Sequence, residues 1–294
     1  MESGARRSHV TKDASTRGGT RPGAPAALRV ASFNVRTMYG RDGRHSWMLR
    51  ARACAAAIAG LHADLVGLQE VRPLQERMLA RRLPGYAGVG AGRDDGGRRG
   101  ERCTVVYRPE RLRLESWTVR WFSDTPQIAG SRSWGNALPR IATLCRFTDL
   151  VTGRTFGAAN VHWDGASAAS RRHSAEALLA WLDPPLPWLV VGDLNATVAD
   201  PAVALLLAGG LTDALSHLGA SGPGAATHHA WDGTADGTRI DHVLVDGAWQ
   251  VLAARIDRTR PGGRLPSDHW PVVADVALRG QPERAGSRAD PARA

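Results

Sequence analysis

Trp188-Leu189-Val190-Val191-Gly192-Asp193-Leu194-Asn195-Ala196 is the stretch that decides the fold. Trp188–Val191 is short and wholly apolar, the pattern of a strand buried on both faces, and it runs straight into Gly192-Asp193. Upstream, Ala166–Leu182 reads as a helix stopped by Asp183-Pro184-Pro185, since a residue before proline is pushed out of the helical region. A helix, a sharp stop and a buried strand that ends in polar groups together indicate a mixed α/β domain.

The same design recurs in both directions along the chain. Leu28–Phe33 is an apolar run followed by Asn34, and Asp64–Leu68 is followed by Gln69-Glu70. Thr155–His162 ends in a histidine, Ile240–Val245 opens next to Asp241, and Val272–Leu278 follows Asp268-His269. Cys103–Tyr107, Leu112–Trp121 and Ile141–Phe147 complete the expected strands, and Trp47–Leu61 and Leu74–Leu83 the expected helices. Arg93–Arg102 reads as a charged, glycine-rich loop. Loops at strand ends, held by a rigid sheet, are where catalytic groups concentrate, so this placement points to a hydrolase site gathered from many strands.

Composition sets the boundaries. Of 294 residues 43% are hydrophobic, enough for a sizeable core and against global disorder. The formal charge is +10, of which residues 1–27 carry +3 and residues 279–294 carry +2, so both ends read as disordered basic or polar tails around one domain at 28–278. This charge suits a phosphorylated or polyanionic substrate, nucleic acid included; a GC-rich coding bias would enrich arginine in the same way, and Lys12 is the only lysine. Cys54, Cys103 and Cys145 are odd in number and form no CxxC pair, so neither a disulfide framework nor a zinc knot is indicated, and they read as small core residues. The N-terminus lacks the apolar run of an export signal, and no stretch approaches the roughly 18 apolar residues of a membrane span. The expectation is a soluble, cytoplasmic monomer without a membrane partner.

Six segments then carry a resemblance. Ser32-Phe33-Asn34-Val35-Arg36, Gln69-Glu70, Asn160-Val161-His162, Gly192-Asp193-Leu194-Asn195-Ala196, Arg239-Ile240-Asp241-His242 and Ser267-Asp268-His269 resemble, in order and spacing, the endonuclease/exonuclease/phosphatase superfamily. Each piece alone is weak; six in order, each beside a strand, are specific. Trp121-Phe122-Ser123-Asp124-Thr125-Pro126, Gly130-Ser131, Trp134 and Leu138-Pro139-Arg140 are further similar to a bacterial branch of metal-dependent hydrolases. That branch reads Thr-His-Leu-Asp-His where this chain has Val161-His162-Trp163-Asp164-Gly165, so any role for the second histidine is missing here.

The resemblance implies a four-layered α/β sandwich, two mainly antiparallel sheets packed face to face with helices outside. It implies hydrolysis of a phosphoester with Mg²⁺ or Mn²⁺, held by Glu70 with Asn34 and Asp268 close by, since magnesium favours a few oxygen ligands and keeps its waters. Asp193 would orient or deprotonate the attacking water, and Asn34, Asn195, His162 and His269 would face the phosphate, with Asp241 behind His269. Arg140 reads equally as a substrate contact and as a surface arginine. His228-His229 sits in Gly- and Thr-rich sequence and reads as loop, outside the site. The alternative function is a non-catalytic phosphate-ligand or nucleic-acid binding protein on the same scaffold, because fold alone does not license activity.

Overall fold

Period-two alternation builds this molecule from the inside. In the first strand, β1 (Leu28–Asn34), Leu28 and Val30 enter one apolar cluster while Ala31 and Phe33 enter another on the opposite face. In β2 (Leu65–Val71), Leu65 joins the first cluster, and Val66 and Leu68 the second. A sheet apolar on both faces must be covered on both, and the computed structural model, which describes residues 26–280, shows how.

One six-stranded sheet has the order β11-β12-β1-β2-β4-β3, using β3 (Ala87–Val89), β4 (Arg102–Tyr107), β11 (Trp249–Ile256) and β12 (Val272–Leu278). The other has the order β5-β6-β7-β8-β10-β9, from β5 (Leu112–Trp121), β6 (Ile141–Asp149), β7 (Thr155–His162), β8 (Trp188–Asp193), β9 (Thr212–Asp213) and β10 (Asp241–Val245). Only β1/β2 and β7/β8 pair in parallel; the other neighbours run antiparallel. Val30, Leu65, Val105, Phe147, Phe156, Val191, Val243 and Val276 form the core between the sheets. Helices α1 (Trp47–Gly60) and α2 (Pro73–Ala80) cover the outer face of the first sheet, and α3 (Ala168–Trp181) and α4 (Pro201–Ala208) that of the second, while a short α5 (Ala214–His217) adds Ala214 and Leu215 to the core between the sheets. This is the four-layered sandwich implied by the sequence. The tail readings at 1–25 and 281–294 lie outside the described residues.

The inter-sheet core turns polar at one end. The inward row of β1 continues Leu28, Val30, Ser32, Asn34; that of β7, Phe156, Ala158, Asn160, His162; that of β8, Leu189, Val191, Asp193; and that of β10, read backwards, Val245, Val243, Asp241. Gly67 belongs to the matching row of β2, and a Cβ there would stand 2.3 Å from Val191, so only glycine lets the two sheets approach at this point. Just past it, Gln69 Nε2 donates to Asn160 Oδ1 at 2.7 Å, and Asn160 Nδ2 donates to the carbonyls of Leu68 (3.0 Å) and Thr104 (2.9 Å), which ties the sheets together beneath the polar end.

Candidate active site

Asn34, His162 and Asp193 end their strands and Asp241 begins its own, all at the same edge of the sandwich. Glu70 reaches this edge by a different device. The β2/β4 register shifts between Leu68 and Val71, and Glu70 has φ 63°, so a bulge redirects its carboxylate beside that of Asp193 instead of to the outer face. Asn34 links the two: its Nδ2 donates to Glu70 Oε1 at 3.1 Å and to Asp193 Oδ2 at 2.9 Å. Glu70 Oε2 accepts the Thr37 N–H at 2.8 Å, and Asn34 Oδ1 the Arg36 N–H at 2.9 Å. Arg36 (φ 55°) and Asn195 (φ 48°) are also left-handed, so three positions around the site hold a backbone that non-glycine residues rarely adopt.

Asp193 is the meeting point of the site. His162 Nε2 lies 3.8 Å and His269 Nε2 3.9 Å from its Oδ2, while its Oδ1 accepts the Asn195 N–H at 2.9 Å. Burial, then the nearby charge of Asp241, pushes the Asp193 carboxyl up to about 7. The His269 ring is buried, which alone would lower its pKa; the charge and hydrogen bond of Asp241, with help from Asp193 and Asp268, outweigh burial and raise it to about 10. His162 goes the other way: burial, with Arg140 and Arg93 nearby, holds it well below the usual histidine range. The edge therefore carries one imidazole that keeps its proton and one that does not.

The other sequence candidates lie around this centre. Asp268 is buried, with Ser267 Oγ at 3.2 Å and Arg36 Nε at 3.7 Å, and Ser267 Oγ also donates to the Asn34 carbonyl at 2.7 Å. The Asn195 amide donates to the Trp163 carbonyl at 2.9 Å. Arg140 is not a free surface arginine: it pairs with Asp164 at 3.5 Å and lines a small cavity with His162, Arg93 and Glu101. Glu101 is itself bound by Arg93 at 2.6 Å and Arg72 at 3.2 Å. Two groups bring three ligand-type atoms within 4.8 Å of one another, Asp193/Asp241/His269 and His228/Asp268/His269, and Glu70 belongs to neither. Glu70 and Asp268 both lie near enough to Arg36 to raise its pKa, after its stronger tie to Asp42, and two carboxylates beside the Asn34 amide are oxygen donors of the kind a hard cation takes.

Two contributors fall outside the sequence candidates: Arg50 within the expected first helix, and His228 in a stretch read as loop. Arg50 on α1 is buried without a carboxylate partner. Its Nη1 donates to the carbonyls of Val35 (2.7 Å) and Pro266 (2.9 Å), its Nη2 to that of Arg36 (2.8 Å) and its Nε to that of His45 (2.9 Å). The guanidinium lies between the Trp47 and Trp231 rings, 5.0 and 5.2 Å from their centroids. It thus clamps the loop after Asn34 to the loop before Asp268. Arg50 falls three residues after Trp47 and four before Cys54, on the buried face of the helix, and that spacing was the signal available. The second is His228, whose ring leans on His269 with centroids 4.7 Å apart.

The sequence profile of the Endonuclease/Exonuclease/phosphatase family matches residues 31–269, a span that contains every residue of this edge. The chain belongs to that family. Its members are phosphoesterases. The solved structure of an endonuclease/exonuclease/phosphatase from Bacteroides vulgatus is 30% identical, with a TM-score of 0.79 over 86% of this chain and 100% of its own. A mannosyl-6-phosphatase of Bacteroides thetaiotaomicron is 27% identical, with a TM-score of 0.78 over 85% of this chain and 100% of its own. An uncharacterized protein of Acanthamoeba polyphaga mimivirus is 30% identical over 127 residues, 41% of this chain and 47% of that protein. The chain thus spans about half the length of the curated relative it matches.

Proposed function

We propose that this member of the family is a divalent-metal-dependent phosphoesterase that hydrolyses a phosphorylated substrate at the edge defined by Glu70, Asp193 and His269. The observation that carries this reading is the Asp193 carboxylate, buried, raised in pKa, and faced by two imidazoles of opposite protonation. A carboxylate with a pKa near neutrality is matched to accept a proton from water at physiological pH. Asp193 orients the attacking water and takes its proton as the water oxygen bonds to phosphorus, the P–O ester bond breaks, and the ester oxygen leaves and is protonated from solvent. His269, kept protonated by Asp241, places positive charge against the phosphoryl oxygens; His162 and the amides of Asn34 and Asn195 face the same group, and Arg140 lies beside it. Glu70, with Asn34 and Asp268, would hold Mg²⁺ or Mn²⁺, which when bound neutralises charge developing on the phosphoryl group.

The proposed setting is that of a cytoplasmic monomer, with Cys54, Cys103 and Cys145 buried as core residues. No helix among the described residues is long and apolar enough to cross a membrane. The relative named a mannosyl-6-phosphatase supports sugar phosphates as one candidate class beside nucleotides and nucleic acid. The test is a hydrolysis screen over sugar phosphates, nucleotides, oligonucleotides and phospholipid headgroups, run with Mg²⁺ and with chelator, for the wild type and Asp193→Asn. Turnover lost with chelator and with Asp193→Asn supports the reading. A folded chain that binds phosphorylated ligands but hydrolyses none of them is the non-catalytic binding protein instead.

A further inference from the structure

His228 and His229 lie in the segment joining α5 to β10, and the structure separates their roles. His229 is buried and committed: its Nδ1 accepts the Gly233 N–H at 3.0 Å and its ring packs on Trp270 at 4.4 Å between centroids. His228 is half-buried, and its backbone bridges both Thr238 and His269. The His229 N–H bond to the Asp268 carbonyl (2.9 Å) and the Trp270 N–H bond to the Thr227 carbonyl (2.7 Å) fix this segment against the Ser267–Trp270 strap. Among the described residues no group hydrogen-bonds the His228 ring. One ligand-type atom each from His228, Asp268 and His269 lies within 4.8 Å of the others.

We propose that His228, Asp268 and His269 form a binding site for a borderline divalent ion such as Zn²⁺, sharing Asp268 with the hard-cation position at Glu70 but otherwise built from different ligands, and that an ion bound there silences the enzyme. Two imidazoles and one carboxylate suit Zn²⁺, whereas Mg²⁺ prefers oxygen ligands. Ligand atoms about 2.0–2.1 Å from a tetrahedral ion stand roughly 3.4 Å apart, and the three here already lie within 4.8 Å of one another. Asp241 already accepts from His269 Nδ1, the arrangement that fixes a metal-binding histidine with Nε2 directed at the ion. Coordination replaces the proton on Nε2, which is released to solvent. Asp241 at 2.8 Å, Asp193 at 3.9 Å and Asp268 surround this ring with negative charge, which attracts a dication. Arg36 opposes it from 3.7 Å but is held by both carboxylate oxygens of Asp42, at 3.1 and 3.2 Å, and can release Asp268. Silencing follows because the ion occupies the nitrogen that faces the phosphate; this half of the proposal rests on the function proposed above, the binding half does not.

The test titrates the Mg²⁺-free full chain with ZnCl₂, read by calorimetry and by the imidazole ¹⁵N resonances. In the wild type the His228 and His269 resonances should shift together with the first equivalent of Zn²⁺. His228→Phe keeps a ring against His269 without a ligand atom; its Zn²⁺ affinity should fall at least about tenfold, and Zn²⁺ inhibition of Mg²⁺-supported hydrolysis should move to correspondingly higher concentration. A His228 resonance that does not move in the wild type overturns the site without recourse to any variant. Equal affinity and equal inhibition in a folded His228→Phe variant overturn it as well. A chain that binds Zn²⁺ at both imidazoles yet hydrolyses no phosphoester keeps the metal site and removes the proposed function.

Discussion

His269 Nδ1 donates to Asp241 Oδ2 at 2.8 Å, with Asp241 fully buried behind the ring. The Thr227 hydroxyl accepts the backbone N–H groups of Ile240 (3.0 Å) and Asp241 (3.1 Å), so the aspartate is fixed before the imidazole meets it. Groups that act as one unit lose function non-additively. Asp241→Asn and His269→Ala should each cut turnover by about two orders of magnitude or more, and the double variant should be little worse than His269→Ala. Steady-state kinetics on folded variants, checked by circular dichroism, decide it. Two losses that multiply as independent factors would mean that the pair does not work as a couple.

Arg50 should matter for both stability and activity. Arg50→Met leaves the carbonyls of Val35, Arg36, His45 and Pro266 without their donor, and an unpaired buried polar group costs about 1–3 kcal/mol. Urea unfolding should show a loss of at least about 3 kcal/mol. At temperatures where the variant remains folded, turnover should still fall, because the loops bearing Asn34 and Asp268 lose their clamp. A variant as stable and as active as the wild type would show that the four bonds are incidental.

Acid sensitivity should come from a buried trio next to the site. Asp213 bonds His242 Nδ1 at 2.9 Å and Arg239 Nη1 at 3.0 Å. Burial opposes ionisation, but the hydrogen bond and charge of His242, then Arg239, hold the carboxyl below the ordinary range. A depressed folded-state pKa gives stability that is complete above the unfolded value near 4 and is lost as pH falls through the folded one. Asp213→Asn should therefore cost about 3–5 kcal/mol at pH 7 and flatten the acid limb of the stability curve. An unchanged limb in denaturant melts between pH 2 and 6 would assign the acid sensitivity elsewhere.

The described sandwich closes within residues 28–278, so trimming 1–26 and 281–294 should leave hydrolysis of a small phosphorylated substrate intact. If trimming weakens only polynucleotide binding, and the loss shrinks in high salt, those segments are an electrostatic tether. A trimmed chain that folds but is inactive would place part of the site outside 28–278.

Much of this architecture was legible because its signals are local. Trp188–Val191 and Leu28–Phe33 are continuous apolar runs, and the polar residue past each is fixed by alternation, so Asp193 and Asn34 are legible at strand ends, whereas their meeting at one edge rests on the resemblance alone. β11 was not read: it is an edge strand, exposed at Gln250, Leu252, Ala253 and Arg255 and interrupted by a bulge between Val251 and Ala253, so its alternation is broken. α4 is eight residues of nearly uniform apolarity, too short to separate a helix from a strand by period, and α5 is a single turn. Glu70 was recognised by its place in a motif, but the left-handed bulge that directs it is a property of the β2/β4 register. Arg50 and His228 act through partners far away in sequence, Pro266 and His269, and no local pattern records such contacts.

The most direct measurement is the metal dependence of Glu70→Gln. Glutamine keeps the shape but has a single carbonyl oxygen, so it can accept from only one of Asn34 and Thr37, and it removes the charge that would hold the cation. With the best substrate from the screen, turnover is measured across Mg²⁺ concentrations for wild type and variant. The account predicts a fall of about two orders of magnitude or more at low Mg²⁺, partly recovered at high Mg²⁺. Turnover by folded Glu70→Gln equal to wild type at low Mg²⁺ would contradict it.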